Sequence, residues 1–223
     1  MPPKAKFTKK EITEAAMRIV ERDGVEFLTA RSLGAELGSS ARPVFTVFSG
    51  MEQVQSEVIS AANMIYGKYV EQGLKEEIAF KGVGKAYIRF AAERPKLFQL
   101  LFMKERKESP DKDNVLQIIE EHYETIIVSI RNLYGLDREK AILLYENLWI
   151  YSHGIAVLLA TKVCSFTKEQ ISEMLTLVFK GIIKEIKLRF IFMWSCCSDL
   201  FLLPRLYFPV SLADTHTLRF GVQ

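Results

Sequence analysis

Arg42, Thr46 and the adjacent hydroxyls of Ser39 and Ser40 fall within one short stretch, residues 38–54, "GSSARPVFTVFSGMEQV". An arginine can give two parallel hydrogen bonds to a guanine edge, and a threonine offers a base its hydroxyl or its methyl. The types present are therefore ones that read DNA. The spacing predicts a helix of about two turns, below the usual length. Ser40 is its natural N-cap, because the hydroxyl can satisfy an orphan N–H of the first turn. Pro43 falls in that first turn, where a missing N–H costs little. Phe48, with Val44 and Val47, would hold the helix in place. Arg42, Thr46 and the two serines would then face outward, and Ser49-Gly50 would end the helix. A helix this short buries little core, so it needs another purpose.

Two more elements must position it. Thr8 opens a first helix with Glu11 three residues on, a capping box. Ile12, Ala15, Ala16, Ile19 and Val20 then recur at helical spacing and make one apolar face, and Gly24 stops the helix. Thr29 caps "ARSLGAEL", whose N-terminus could receive a phosphate, and Gly38 ends it. Three short helices with a tight glycine turn between the second and third have the layout of a helix-turn-helix. The third helix of such a unit lies in the major groove. Lys4, Lys6, Lys9 and Lys10 would add a basic arm beside the first helix. On spacing alone, an ordinary surface role for Arg42 and a core role for Phe45 remain open.

From Met51 the helical patterns lengthen. They run over about 51–73, 75–93, "KLFQLLFM" after Pro95, 114–134, 137–162 and 168–189, the last opened by Thr167 and Gln170. The charged run 104–113 has no apolar period and reads as a solvated loop. No alternating strand pattern occurs. The expected fold class is all-α: an N-terminal helix-turn-helix three-helix domain over residues 1–50, then a helical bundle over 51–189. Residues 190–223 contain no Lys and no Glu, and are apolar and aromatic around Asp199, Pro204 and Arg205. Their uninterrupted apolar stretch is shorter than the roughly 20 residues of a membrane span. They read as an atypical, poorly patterned and possibly non-native tail, prone to aggregate, and no membrane partner is expected.

Composition narrows the function classes. The 223 residues are 49% hydrophobic and 26% charged, as globular chains are, and the net charge of +3 is weak evidence for a polyanion partner. Cys164 and the adjacent pair Cys196 and Cys197 make no disulfide framework, which fits a reducing, cytoplasmic setting. The N-terminal "MPPKAKFTKK" lacks the apolar core of a signal peptide. His122, His153 and His216 have no metal-ligand spacing. No phosphate-binding loop, nucleophile elbow or dinucleotide fingerprint is present. No metal, no cofactor and no enzyme activity are expected.

Residues 7–54, "FTKKEITEAAMRIVERDGVEFLTARSLGAELGSSARPVFTVFSGMEQV", resemble the N-terminal DNA-binding domain of TetR-type transcriptional regulators. The resemblance rests on Thr29 and Arg31, the turn at Gly38, Ser39 and Ser40, and the aromatic pair Phe45 and Phe48. "WIYSHGIAVLLA", residues 149–160, is similar to the Trp…His-Gly signature of one C-terminal subgroup. The resemblance implies a homodimer that binds double-stranded DNA at a palindromic operator and represses until an unknown small-molecule effector releases it. DNA contacts would then come from Lys6, Lys9, Thr29, Arg31, Ser39, Ser40, Arg42, Pro43, Phe45 and Thr46.

The bundle is less specific. Tyr87, Phe90, Phe98, Phe102, Trp149 and His153 are candidates for an effector cavity, since such pockets are mostly apolar with a few polar groups; plain core is the simpler reading of each. Two apolar faces, with Leu144 and Leu148 on one and Leu175, Val178, Phe179 and Ile182 on the other, exceed what one bundle needs and are expected to form the dimer interface. The chain departs from the family where a Tyr hydroxyl and a Lys usually hold phosphate: here stand Phe45 or Thr46, and Met51. That departure favours one alternative, a helical interaction or adaptor protein that has lost DNA binding.

Overall fold

The computed structural model describes residues 5–105, 111, 114–120 and 122–198, and among them only helices and turns occur. Helix α1 spans Lys9–Arg22. Thr8 Oγ1 accepts the Glu11 N–H at 3.2 Å, and Glu11 Oε2 accepts the Thr8 N–H at 2.7 Å. The helix buries the five predicted residues, and Gly24 follows its end at φ 113°, a conformation open to glycine. A 3₁₀ turn, Val25–Phe27, leads to α2, Ala30–Glu36. Thr29 caps α2, and Ser32 completes the box by accepting the Thr29 N–H. Glu36 holds α2 to α1 by accepting from Arg18 at 2.8 Å and Arg22 at 3.3 Å.

The third element differs from the predicted helix. Backbone bonds run from Val44 to Ala41, Phe45 to Arg42, Thr46 to Pro43 and Val47 to Val44, all of the i to i−3 kind. Regular 3₁₀ geometry covers Val44–Thr46, with no side-chain cap, so Ser40 does not cap this element. The cause is local. Pro43 withholds an N–H, Val44, Thr46 and Val47 are β-branched, and Thr46 Oγ1 donates to the Pro43 carbonyl at 2.7 Å. Gly34 lets this segment approach α2. A Cβ there would lie 2.8 Å from the Ala41 nitrogen and the Ser40 carbonyl carbon. Val44 and Phe48 are buried as expected.

The bundle begins with α3, Met51–Leu74, and continues with α4, Ala79–Glu93, and α5, Pro95–Phe102. Helix α4 starts four residues later than its pattern predicts, because the chain reverses over 75–78 to bring α3 and α4 together. They meet at Gly73 and Gly82. A Cβ on Gly73 would lie 2.6 Å from the Gly82 carbonyl group, and one on Gly82 would fall on the Gly73 oxygen. Helix α4 packs against α3, α5, α7 and α8 and is the centre of the bundle.

The predicted helix over 114–134 is two helices, α6, Val115–Ile119, and α7, Tyr123–Tyr134. Between them Glu120 is extended (φ −118°, ψ 102°) and buried, and its Oε1 accepts the His122 N–H at 3.2 Å. A side chain thus takes a donor that a continuous helix would bind with its own backbone. Helix α8, Arg138–Ala160, is capped by Asp137. Helix α9, opened by Thr167 and Gln170, spans Lys168–Ser198, nine residues beyond the predicted end at 189. The sequence changes composition there without any Gly or Pro, and a helix propagates until something stops it. Residues 199–223 of the apolar tail, and Lys4 of the basic arm, lie outside the described residues. Residues 1–184 make one compact unit and 185–223 a second.

The glycine crossing supplies a test. Gly82→Ala forces a methyl into backbone that cannot yield as a side chain can, and should cost about 1–3 kcal/mol. A urea midpoint equal to that of the parent protein would show that the helices can part there without loss.

Candidate nucleic-acid interface and effector cavity

In a 3₁₀ run, side chains three apart eclipse. The run Val44–Thr46 therefore does not keep the α-helical spacing that would have paired Arg42 with Thr46. Val44 points inward at 0% exposure, and Phe45 stays 45% exposed. Arg42 and Thr46 are exposed and Pro43 is half-buried. Arg31, at the start of α2, is exposed on the same small unit, and Thr29 beside it is exposed and engaged in its cap. Neither Arg31 nor Arg42 has an ion-pair partner among the described residues. Lys6 Nζ donates to Ser39 Oγ at 3.1 Å, which fastens the arm to the glycine turn, and Ser40 beside it is exposed. Lys9 is placed differently: its ammonium pairs with Glu57 of α3 at 2.6 Å. Hence two free guanidiniums, one anchored ammonium and an exposed ring surround the turn.

The bundle encloses a cavity of about 250 Å³. Of the predicted lining residues, Tyr87 and Trp149 face it; Phe90, Phe98, Phe102 and His153 stand behind them. Phe98 and Phe102 meet the Tyr87 ring at 5.4 and 5.1 Å, and Phe90 meets Tyr66 at 5.3 Å. The Tyr87 hydroxyl is hydrogen-bonded to His153 Nδ1 at 2.8 Å. Burial pushes the Tyr87 phenol well above its usual range and pushes the His153 imidazole down. At neutral pH both groups are uncharged, and the imidazole tautomer sets which of them donates.

Sequence reasoning missed the inner wall. Tyr66 of α3, Tyr145 of α8 and Glu120 of the α6–α7 break line the cavity, and Tyr66 Oη donates to Glu120 Oε2 at 3.1 Å. Burial first, and Glu120 second, raises both phenols. Tyr66 was findable as the aromatic in a stripe of Val54, Val58, Ala62 and Val70. Glu120 was not, since only the break brings it inward.

The comparisons with known proteins bear on this arrangement. Residues 80–179, which span α4 to most of the cavity-lining part of α9, match the family model described as a tetracyclin repressor-like C-terminal domain. Among solved structures, a TetR family protein from Vibrio parahaemolyticus shares the fold at TM-score 0.50 and 16% identity, covering 77% of this chain and 96% of that one. No curated protein matches the sequence.

Several of the residues predicted for a dimer interface are enclosed by the chain itself. Leu144 is fully buried and Leu148 nearly so in the chain's own core, and Leu148, Leu175 and Phe179 line the cavity. Phe179 packs on Phe80 and Tyr134 at 6.0 and 5.2 Å. The predicted face of α8 is turned by about one residue. The open side carries Leu143, Ile150 and Leu158, at 44, 55 and 37% exposure. On α9, Val178 and Ile182 remain half-buried beside Leu177, which is exposed.

The His153 environment fixes a pH response. Unfolded His153 takes up a proton near its ordinary value of 6.5, whereas the folded chain resists until lower pH. The unfolded state then binds more protons, so stability falls as pH drops through about 6.5. Melting temperature should decline from pH 7.5 to 5.5, and His153→Gln should flatten this upper part of the profile. An unchanged slope in the variant would place the proton uptake elsewhere.

Proposed function

We propose that the protein represses transcription as a homodimer on a palindromic operator and is released when a small molecule fills the bundle cavity. The observation that carries the reading is the unpaired Arg42, exposed on a turn whose other side is anchored by buried Val44 and Phe48. A guanidinium held outward by a rigid turn suits a guanine edge in the major groove. Arg31, Thr29 and Lys6 flank it for phosphate contacts, and Lys9 contributes less because Glu57 already holds it. The cavity supports the second half: an effector can shift the protein only by as much as it prefers the conformer that does not bind DNA.

Arg42→Ala should remove about 1–3 kcal/mol of discrimination between a selected operator and random DNA, with folding intact. Lys6→Ala should weaken both DNAs alike and lower the salt slope by about one. If Arg42→Ala leaves the preference between the two DNAs unchanged, the turn does not read bases, and the adaptor reading gains.

The dimer reading rests on α8, which is apolar on both sides although this chain covers only one. Mean hydropathy reaches 1.3 over its most apolar window, yet only 39% of that window is buried. A helix apolar all round is ordinarily enclosed. A second copy laid along Leu143, Ile150 and Leu158, with Leu177, Val178 and Ile182 of α9, would enclose it. Sedimentation should give twice the chain mass, and Ile150→Glu should give single chains. A parent protein that sediments singly at micromolar concentration would remove this interface.

A further inference from the structure

The cavity is polarised from end to end. Lys81 of α4 and Lys180 of α9 both line it and both are exposed, whereas most of the other lining residues are buried or half-buried. The two ammonium groups therefore stand at its open side. Neither has an ion-pair partner among the described residues. Glu76, close to Lys81 in sequence, is engaged elsewhere: it binds Lys85 at 2.9 Å. Behind the lysines the wall is aromatic, with Phe80, Tyr87, Tyr134, Trp149 and Phe179. Deeper still, Tyr145 and Ser152 are 5% exposed and line the cavity, and neither hydroxyl has a hydrogen-bond partner among the described residues.

We infer that the cavity takes a small aromatic carboxylic acid, its ring held among the aromatic side chains and its carboxylate at Lys81 and Lys180. The inference rests on the effector reading above and gives that site its ligand class. The volume, about 250 Å³, lies just below the 300–1,000 Å³ of pockets for drug-sized ligands, which limits the body to one or two rings. A ring in that wall meets edges and faces at once, the arrangement aromatic pairs prefer. A carboxylate at the open end gains charge-assisted bonds from two ammoniums while staying partly hydrated, so it avoids the desolvation that deeper burial would impose. Orientation follows from Glu120. Its carboxyl group at the inner wall disfavours an anionic head there and leaves the inner end to the ring and to groups that bond Tyr145 and Ser152.

Calorimetric titration of the full chain with 3-phenylpropionate, 3-phenylpropanamide and 3-phenylpropylammonium separates the possibilities, with Trp149 fluorescence as a second readout. The acid should bind at least about tenfold more tightly than the amide or the amine. The double variant Lys81→Gln, Lys180→Gln, altered only at exposed positions, should bring acid and amide together while leaving amide affinity as it was. Tightest binding by the amine would overturn the inference and assign the cavity to cations through Glu120. Equal binding of all three, or binding of none, would also overturn it. Operator release is measured separately. An acid that binds but leaves DNA affinity unchanged sinks the effector reading and spares the ligand class. Operator binding without any binding of the acid does the reverse.

Discussion

Everything in the bundle is referred to the place where two backbones touch. At Gly73 and Gly82 helices α3 and α4 approach more closely than any side chain allows. That contact is a fixed pivot. Beyond it the two helices meet through larger groups: Tyr66 of α3 against Tyr87 and Phe90 of α4, with ring centroids 6.1 and 5.3 Å apart. Tyr69, nearer the pivot on α3, reaches the same Phe90 ring at 5.3 Å. Helices α5 and α8 then close over the exposed flank of α4. Phe98 and Phe102 come from one, and Trp149 and His153 from the other. Without the pivot, the Tyr87 hydroxyl would have no reason to fall within 2.8 Å of His153.

The small N-terminal unit depends on an equivalent approach at Gly34, made by a turn instead of a helix. Two near-contacts of backbone, one in each part, set the positions of the two functional regions. Between them run polar ties. Arg94, at the start of α5, donates to Glu21 of α1 at 2.8 Å, so the helix that supports the cavity wall also touches the reading head. Lys96 lies 4.0 Å from Glu26 nearby. Both pairs are partly exposed and contribute little to stability; their place in the fold matters more than their strength.

Much of this was legible in the sequence, and the failures share a cause. Caps at Thr8, Thr29, Asp137 and Thr167 are local chemistry, written within three residues of where they act. The apolar stripes of α1 and α3 follow from period alone. What failed depended on distant partners. The third short element reads as an α-helix by spacing, but Pro43 and its β-branched followers leave it a 3₁₀ run. Glu120 breaks a good helical pattern because Tyr66, more than fifty residues earlier, offers it a buried donor. Leu144 and Leu148 were assigned to the open side of α8, since a helix apolar all round does not announce which side its own chain will cover. The inner cavity wall could not be read as a set for the same reason: its members come from three separate segments.

That two-sided apolarity of α8 also has a temporal meaning. A newly finished chain can bury Leu144, Ala156 and Ile155 by folding alone, but Leu143, Ile150 and Leu158 stay wet until another surface reaches them. The first step is unimolecular and does not depend on how many chains are present. With the proposed second copy as that surface, the second is an encounter, with a rate proportional to the number of available partners. At low copy number each chain therefore spends longer with its apolar stripe in water, where chaperones and proteases select for such surfaces. The supply of the protein would then be self-thresholding: sparse synthesis feeds turnover, and denser synthesis feeds assembly.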